Sequence, residues 1–168
     1  MSRFSADRFT VMKRHSTKRY EMMGALMLTT MGSVLSGCSP REMKVGLVSA
    51  AERGDTKLIR QYLNNGVDPN EKDADTEQTP LIAAAAEGQT DAIEILAKNG
   101  AKLNEHDGMG DTALIAAILN RHTEAALLLL RLGADPNARG DFDKSPLQRA
   151  KDLSEDQVYL ALKKHGAK

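Results

Sequence analysis

The sequence predicts an all-α fold, a solenoid of about four helix-turn-helix units connected by short hairpin loops. A three-residue motif recurs every 33 residues, as Thr79-Pro80-Leu81, Thr112-Ala113-Leu114 and Ser145-Pro146-Leu147. A glycine–alanine pair recurs at the same interval, at residues 100–101, 133–134 and 166–167. The apolar residues between these motifs follow helical spacing. A unit of this length cannot bury its own apolar face, so the units are expected to stack.

The first helix of each unit is predicted from its capping residues. Thr79, Thr112 and Ser145 can each accept a hydrogen bond from a free amide at a helix N-terminus. Pro80 and Pro146 then occupy the first helical position, where no amide donor is needed. We expect short, alanine-rich helices over residues 81–86 and 114–118, thin enough for neighbouring units to stack closely.

A glycine turn and a second helix complete each unit. Gly54 and Gly88 are predicted to reverse the chain. The second helices carry apolar residues at i, i+1, i+4 and i+5, which form one buried face. These residues are Leu58, Ile59, Tyr62 and Leu63, then Ala92, Ile93, Leu96 and Ala97, then Ala125, Ala126, Leu129 and Leu130. A left-handed glycine should end each second helix, at residues 66, 100, 133 and 166.

The first 37 residues have the pattern of an export signal. Residues 1–21 contain six basic and two acidic side chains, and Met22 to Leu35 is a run of 14 uncharged residues. That run is shorter than the ~20 apolar residues needed to span a bilayer, but it suits a signal peptide. The preceding basic block argues against a short buried helix. Either Met1 or Met12 can serve as the first residue.

Leu35-Ser36-Gly37-Cys38 resembles a bacterial lipobox. The resemblance implies cleavage before Cys38, lipidation of its thiol and acylation of the new amino terminus with fatty acids such as palmitate. A free buried thiol is the alternative. Ser39, rather than aspartate, favours the outer membrane over the inner membrane. We therefore expect a signal peptide at 1–37, a lipidated cysteine and short linker at 38–43, and a repeat domain at 44–168 that faces the periplasm.

The repeated segments TPL, AAxxG and GADPN resemble the ankyrin repeat, over units at about 41–73, 74–107, 108–140 and 141–168. Ile82, Ile115 and Gln148 stand where this family usually has histidine, so the hairpins are expected to be looser. Arg121 replaces the turn glycine of the third unit. Ser154 and Gln157 form a capping-box pattern at the last helix.

Composition and motifs argue against catalysis. The 168 residues are 27% charged and 41% hydrophobic, which is ordinary for a folded domain. A single cysteine excludes a disulfide framework, and no metal site, cofactor site or catalytic motif is recognisable. Without the leader, residues 38–168 carry 17 basic and 21 acidic side chains, which does not suit nucleic acid.

The ankyrin resemblance implies a protein-binding module, which we expect to be a monomer without cofactor or metal. Its contacts should come from hairpins and first helices. The residues in those registers are Asp75, Thr76, Gln78, Met109, Asp111, Phe142 and Lys144 on hairpins, and Glu87, Leu119 and Asn120 on first helices. Met109 and Phe142 are the candidate apolar anchors, unless both pack against the neighbouring hairpin.

Two roles and one further surface are open at this point. The chain is either an envelope scaffold or adaptor that tethers a partner, or an immunity protein that neutralises a toxin delivered to the periplasm. Leu127 and Leu160 share a register on the second helices, near Leu132, and form either an outer contact patch or local packing.

Overall fold

The computed structural model describes residues 40–140 and 144–168, which include most of the predicted repeat domain and the end of the predicted linker. The proposed signal peptide, Cys38 and Phe142 lie outside the described residues. The described part is all-α and contains no strand. Its helices are α1 Pro40–Glu52, α2 Thr56–Asn64, α3 Pro80–Ala86, α4 Thr90–Lys98, α5 Ala113–Leu119, α6 Thr123–Leu132, α7 Pro146–Asp152 and α8 Asp156–Lys164. None of these helices is both long and apolar enough to cross a membrane.

The helices form two layers of neighbouring units. In the inner layer α1 packs on α3, α3 on α5 and α5 on α7, and in the outer layer α2, α4, α6 and α8 follow the same order. Each inner helix also packs on the outer helix of its own unit. Because every unit contacts its neighbours, one continuous apolar core runs through all four units.

The predicted helix caps are confirmed at all three inner helices that have a TPL-type entry. The side chains of Thr79, Thr112 and Ser145 accept hydrogen bonds from the amides of the third helical residues. At α7 the Gln148 side chain also accepts from the Ser145 amide and completes a capping box. The capping box predicted at Ser154 was wrong, because Ser154 adopts a left-handed turn with a φ of 58° and α8 begins after it.

The predicted apolar faces form the core. The alanines that thin the inner helices, including Ala84, Ala117 and Ala150, are fully buried. The outer helices bury the predicted faces, although Leu58, Tyr62 and Leu63 of the first unit and Ala97 of the second are only partly buried. Ile95 and Leu128 are also buried, whereas Gln61, at the same position of the first unit, is exposed.

The turn before each outer helix is left-handed in all four units. Its residues are Gly54, Gly88, Arg121 and Ser154, with φ angles of 67°, 69°, 61° and 58°. The half-buried His122 ring lies so close to Gly88 that a Cβ there would come within 2.5 Å of Nδ1. The side chain that follows each turn thus covers the turn of the preceding unit, as Gln89 also does when it donates to the Glu52 carbonyl.

Asparagines connect each unit to the next. The Asn70 side chain donates to the Gly100 carbonyl and accepts from the Lys102 amide, at 3.1 and 2.7 Å. In the same register Asn104 accepts from the Asp135 amide at 2.9 Å. Asn137 accepts from the Lys168 amide at 3.0 Å, so the register is kept through the last unit.

The first inner helix is longer than the others. It starts at Pro40, within the segment that the sequence analysis assigns to a linker, and has 13 residues where α3, α5 and α7 have seven. In this unit Gly46 occupies the position of Pro80, so no proline marks a helix start there. The helix therefore begins two residues after Cys38.

Candidate protein-binding surface

The first two hairpins are each organised by an aspartate. The Asp107 carboxylate accepts from the amides of Met109 and Asp111, at 3.0 and 2.9 Å. The Asp73 carboxylate accepts from the amides of Asp75 and Thr76, both at 3.1 Å, and from the Thr76 hydroxyl at 3.0 Å. These bonds close the loops without the family histidine, because Asx-type turns satisfy the loop amides locally.

The two hairpins differ by one residue. The chain closes over Asp73 to Gln78 in the first and over Asp107 to Asp111 in the second, through backbone hydrogen bonds of 2.9 and 3.1 Å. The residue that lengthens the first repeat interval to 34 therefore lies in the first hairpin. Glu77 there takes a φ of 53°, where Gly110 takes 84° in the second hairpin. The hairpins are joined by a 3.2 Å bond from the Gly108 amide to the Thr76 carbonyl.

The hairpin tips project most of the predicted contact residues into solvent. Met109 exposes 65% of its surface, the highest value among large apolar side chains of the described residues apart from Leu160. Asp75 and Thr76 are exposed in the preceding hairpin, and Gln78 is half-buried at its end. Met109 thus does not fold back onto the neighbouring hairpin. Phe142, the second candidate anchor, lies outside the described residues.

The ends of the inner helices form a second exposed row. Glu87 and Asn120 cap α3 and α5 and are exposed, and Leu119 exposes 39% of its surface. In the first unit Glu52 and Arg53 occupy the same register and are also exposed. The Asn120 side chain donates to the Ala116 carbonyl at 3.0 Å, which fixes it against the helix end.

One ion pair shows that both rows lie on the same side of the molecule. Lys144 leaves the last hairpin and its ammonium lies 2.8 Å from a carboxylate oxygen of Asp152, at the end of α7. Both side chains are half exposed, so this contact lies on the solvent-facing side of the inner helix. By register, the other hairpins and helix ends border the same strip. We call it the hairpin–inner-helix surface; its described members are Glu52, Arg53, Asp75, Thr76, Glu77, Gln78, Glu87, Met109, Leu119, Asn120, Lys144 and Asp152.

The structure does not place Asp111 on this surface. Asp111 is 5% exposed, and its carboxylate lies 3.2 Å from the guanidinium of Arg149, which is itself buried. Gly140 lies against this pair, so that any side chain there would overlap the Asp111 carboxylate. Asp111 therefore joins the third and fourth units instead of facing a partner. The sequence signal for the burial of Asp111 was Arg149, which stands where the two preceding units have alanine, at Ala83 and Ala116.

The outer patch is only partly exposed. Leu160 exposes 67% of its surface and Leu132 exposes 37%, whereas Leu127, on the same helix as Leu132, is half-buried. The three leucines therefore do not form a broad apolar face. Within residues 40–140 and 144–168, no group of three His, Cys, Asp or Glu side chains is arranged to hold a metal ion.

The charges are distributed unevenly along the stack. Residues 40–107, which form the first two units, contain 13 acidic and 8 basic side chains. Residues 108–168 contain 8 acidic and 9 basic side chains, so the acidic excess belongs to the first two units. The segment between α2 and α3 contributes most of it, with Asp68, Glu71, Asp73, Asp75 and Glu77 against Lys72.

Two curated proteins show local similarity to this chain. An L-asparaginase of Dirofilaria immitis is 33% identical over 137 residues, which is 82% of this chain and 17% of the relative. Human oxysterol-binding protein-related protein 1 is 36% identical over 70 residues, 38% of this chain and 7% of the relative. The chain thus spans less than a fifth of either relative, and most of each named protein lies outside the match.

A family model describes the repeats directly. The model of ankyrin repeats, in three copies, matches residues 47–140, which extend from α1 to the loop after α6. The matched region contains the hydrogen-bonded hairpins, the capped inner helices and the left-handed turns of the first three units. This chain belongs to the ankyrin repeat family.

Proposed function

We propose that this chain is a membrane-anchored periplasmic module that binds a protein partner and catalyses no reaction. Ankyrin repeats support the protein-binding part of this function. The observation that carries it is the side chain of Met109, which is 65% exposed on a hairpin whose backbone is fixed by Asp107. A flexible apolar side chain on a preorganised loop can fill a partner's pocket at low entropic cost.

The rest of the surface fits this role. Leu119 provides a second apolar contact on the inner-helix row, and polar side chains such as Asn120 and Glu87 surround it. An apolar centre with a polar rim is the usual composition of a protein–protein interface. Nucleic acid is a poor ligand for this surface, because four of its five charged residues in the first two units are carboxylates.

The proposed anchor is Cys38, which carries the lipid if the lipobox is processed. Helix α1 begins at Pro40, so at most about 7 Å of extended chain separates the lipidated residue from the repeat domain. Several acyl chains on one residue hold a protein durably at a membrane. The partner would therefore be bound close to the bilayer, which suits a scaffold or adaptor. Ser39, the residue after Cys38, favours the outer membrane.

A pull-down tests the binding function. The full-length chain with a C-terminal tag is immobilised, exposed to detergent-solubilised envelope and periplasmic proteins, and compared with a Met109→Ala, Phe142→Ala variant. We expect a protein that is retained by the native chain and lost from the variant. The Leu160→Ala variant is the control, since it removes an equally exposed apolar side chain from the outer helix layer. Equal retention by all three proteins would contradict the proposed site.

Mass spectrometry tests the anchor. The chain isolated from bacterial membranes should begin at Cys38 and carry the mass of a diacylglyceryl group and an additional fatty acid. A Cys38→Ser variant should lose this mass and leave the membrane fraction. An unmodified Cys38 in the membrane-extracted protein would refute the proposed anchor and leave the binding function to be judged by the pull-down.

The acidic excess of the first two units favours a second candidate, an immunity protein that neutralises a toxin delivered to the periplasm. A basic toxin would be attracted by this surface. A toxin gene beside the gene for this chain, together with protection of cells that express the chain, would support immunity. Protection that persists in the Met109→Ala, Phe142→Ala variant would argue against toxin binding at this surface.

A further inference from the structure

Met109 lies on the hairpin–inner-helix surface with its side chain in solvent. The chain has eight methionines, and six of them lie within residues 1–37. Removal of the proposed signal peptide would leave Met43, in α1, and Met109, at the tip of the second hairpin. Met109 exposes 65% of its surface and does not belong to the apolar core. Its thioether is therefore open to reagents in solution.

The residues beside Met109 leave its sulfur uncovered. Gly108 and Gly110 flank it, so neither chain neighbour has a side chain that could shield the thioether. The two glycines instead shape the loop, because the Gly108 amide donates to the Thr76 carbonyl at 3.2 Å and Gly110 has a φ of 84°. A methionine that protrudes from a turn in this way is accessible to a small oxidant and to the active site of a repair enzyme.

The fold of the hairpin does not depend on the Met109 side chain. The Asp107 carboxylate closes the loop by accepting from the amides of Met109 and Asp111, at 3.0 and 2.9 Å. A 3.1 Å backbone bond from the Asp107 amide to the Asp111 carbonyl completes the closure. Met109 contributes only its backbone to these bonds. A chemical change at its sulfur should therefore leave the stack folded and alter the surface alone.

Oxidation would remove the property that suits Met109 to an interface. Methionine sulfoxide has a polar oxygen on a side chain that was flexible and apolar. In a partner's apolar pocket this oxygen would lose its water without gaining a hydrogen-bond donor, which weakens binding. Leu119, the other exposed apolar side chain described on this surface, has no sulfur and cannot respond in this way.

We propose that Met109 is a reversible oxidation site and that its conversion to methionine sulfoxide releases the protein partner. This oxidation switch rests on the proposed function, because it assigns a regulation to the same surface. The proposed location favours it, since the periplasm is an oxidising compartment. The structural reason for the switch is that the proposed apolar anchor is an exposed thioether on a loop whose backbone is held independently.

The oxidant is a hydroperoxide, which transfers one oxygen atom. The sulfur lone pair of Met109 attacks the terminal peroxide oxygen, and the S–O bond forms as the O–O bond breaks. The proton on the transferred oxygen moves to the displaced oxygen, which leaves as water or as an alcohol. The sulfur loses two electrons and the peroxide gains them. A methionine sulfoxide reductase reverses the change, because two thiols supply two electrons and two protons, the oxygen leaves as water and a disulfide forms.

Mass spectrometry measures whether Met109 is the reactive site. The full-length chain with Leu96→Met is treated with hydrogen peroxide, because Leu96 is fully buried and methionine fills a similar volume. Trypsin then places Met109 in a peptide of residues 103–121, and the buried reference methionine in a peptide of residues 73–98. Neither peptide contains another methionine. We expect the first peptide to gain one oxygen atom at least about tenfold faster than the second.

The pull-down measures the consequence for binding. The tagged chain is oxidised, freed of peroxide and exposed to the envelope and periplasmic extract. We expect it to retain at least about tenfold less partner than the untreated chain, because the sulfoxide oxygen is left without a donor. Treatment with methionine sulfoxide reductase should restore retention. Circular dichroism should show the same helix content before and after oxidation.

Variants at Met109 separate its oxidation from damage elsewhere. Met109→Gln places a polar group at a similar distance from the backbone and should bind weakly without any oxidant. Met109→Leu remains apolar and has no sulfur at this position, so it should retain the partner before and after peroxide treatment. Met43 is still present in both variants, which makes them matched controls for oxidation at the other methionine.

The oxidation switch is overturned if Met109 and the buried reference are oxidised at equal rates, or if the oxidised native chain retains its partner in full. It is also overturned if the Met109→Leu chain loses the partner after peroxide as the native chain does. In each of these cases a partner retained by the untreated chain leaves the proposed function standing. An untreated chain that retains nothing overturns the proposed function and the switch together.

Discussion

The guanidinium of Arg149 lies 3.2 Å from the carboxylate of Asp111, and both side chains are buried at the boundary between the third and fourth units. Arg149 belongs to inner helix α7 and Asp111 to the end of the preceding hairpin. The pair therefore adds a buried polar contact between two units that also contact each other through apolar residues, an asparagine bond and the polar contacts of Glu155 with Arg121 and Thr123. Gly140 packs so closely against the pair that a side chain at this position would overlap the Asp111 carboxylate.

Removing one member of this pair should be costly. Asp111→Ala removes the carboxylate that lies 3.2 Å from the buried Arg149 guanidinium, and we expect the free energy of unfolding to fall by about 2 kcal/mol. Urea unfolding followed by circular dichroism measures this change. Lys144→Ala is the control, because the exposed pair between Lys144 and Asp152 should contribute far less to stability than the buried pair. Equal losses in the two variants would contradict a special role for the buried pair.

Gly88 is expected to tolerate alanine less well than Gly100. Both residues have positive φ angles, 69° and 89°, so alanine costs about 1 kcal/mol of backbone strain at either position. At Gly88 the new methyl group would also overlap the His122 ring, whereas nothing lies within 4 Å at Gly100. In thermal unfolding, Gly88→Ala should lower the free energy of unfolding more than Gly100→Ala does, by about 1 kcal/mol or more. Similar losses would mean that the ring moves aside freely.

Arg121→Gly should stabilise the chain. Arg121 has a φ of 61° at a turn where the first two units have glycine, and its ion pair with Glu155 is long, at 3.9 Å. Release of left-handed strain outweighs the greater freedom of glycine in the unfolded chain, for a net gain of about 0.5 kcal/mol. Arg131→Gly, inside α6, should instead destabilise by about 1 kcal/mol. The two melting temperatures should therefore shift in opposite directions.

Acid should weaken the contact between Lys144 and Asp152. The hydrogen bond from Lys144 and its positive charge lower the pKa of Asp152 below its ordinary value of 3.8. A lowered folded-state pKa gives stabilisation that is present above pH 3.8 and is lost as the pH falls through the lowered value. Carbon-13 NMR titration of the carboxyl group measures the pKa directly. Lys144→Met should raise it toward 3.8, while Lys163→Met in α8 should leave it nearly unchanged.

The sequence was sufficient to predict the architecture. Repeated capping residues such as Thr79 and repeated glycines such as Gly133 determine local backbone geometry, and the period of 33 residues places them in one stack. The predicted binding surface was less complete. Asp111 has the same register as exposed hairpin residues, and only the neighbouring unit's Arg149 explains its burial. Contacts between units depend on which side chain faces which, and a periodic pattern does not encode that information.

The same reasoning explains the misplaced capping box. Ser154 and Gln157 have the right types and spacing, but the serine occupies the left-handed turn that glycine takes in the first two units. A residue in that conformation cannot also start the helix. Ser145 and Gln148 have the same spacing and do form the box, because Ser145 itself is extended, with a ψ of 157°. Residue types alone did not separate the two cases; the position within the repeat did.

The additional residue in the hairpin between Asp73 and Gln78 makes this loop a natural attachment point. The helices on either side keep the register of the other units despite the longer loop, so the change of length is absorbed entirely at the tip. A photoreactive amino acid in place of the exposed Ala74 would therefore sit beside the binding surface while the stack stays intact. Irradiation of living cells could then capture a bound protein covalently, before the cells are lysed.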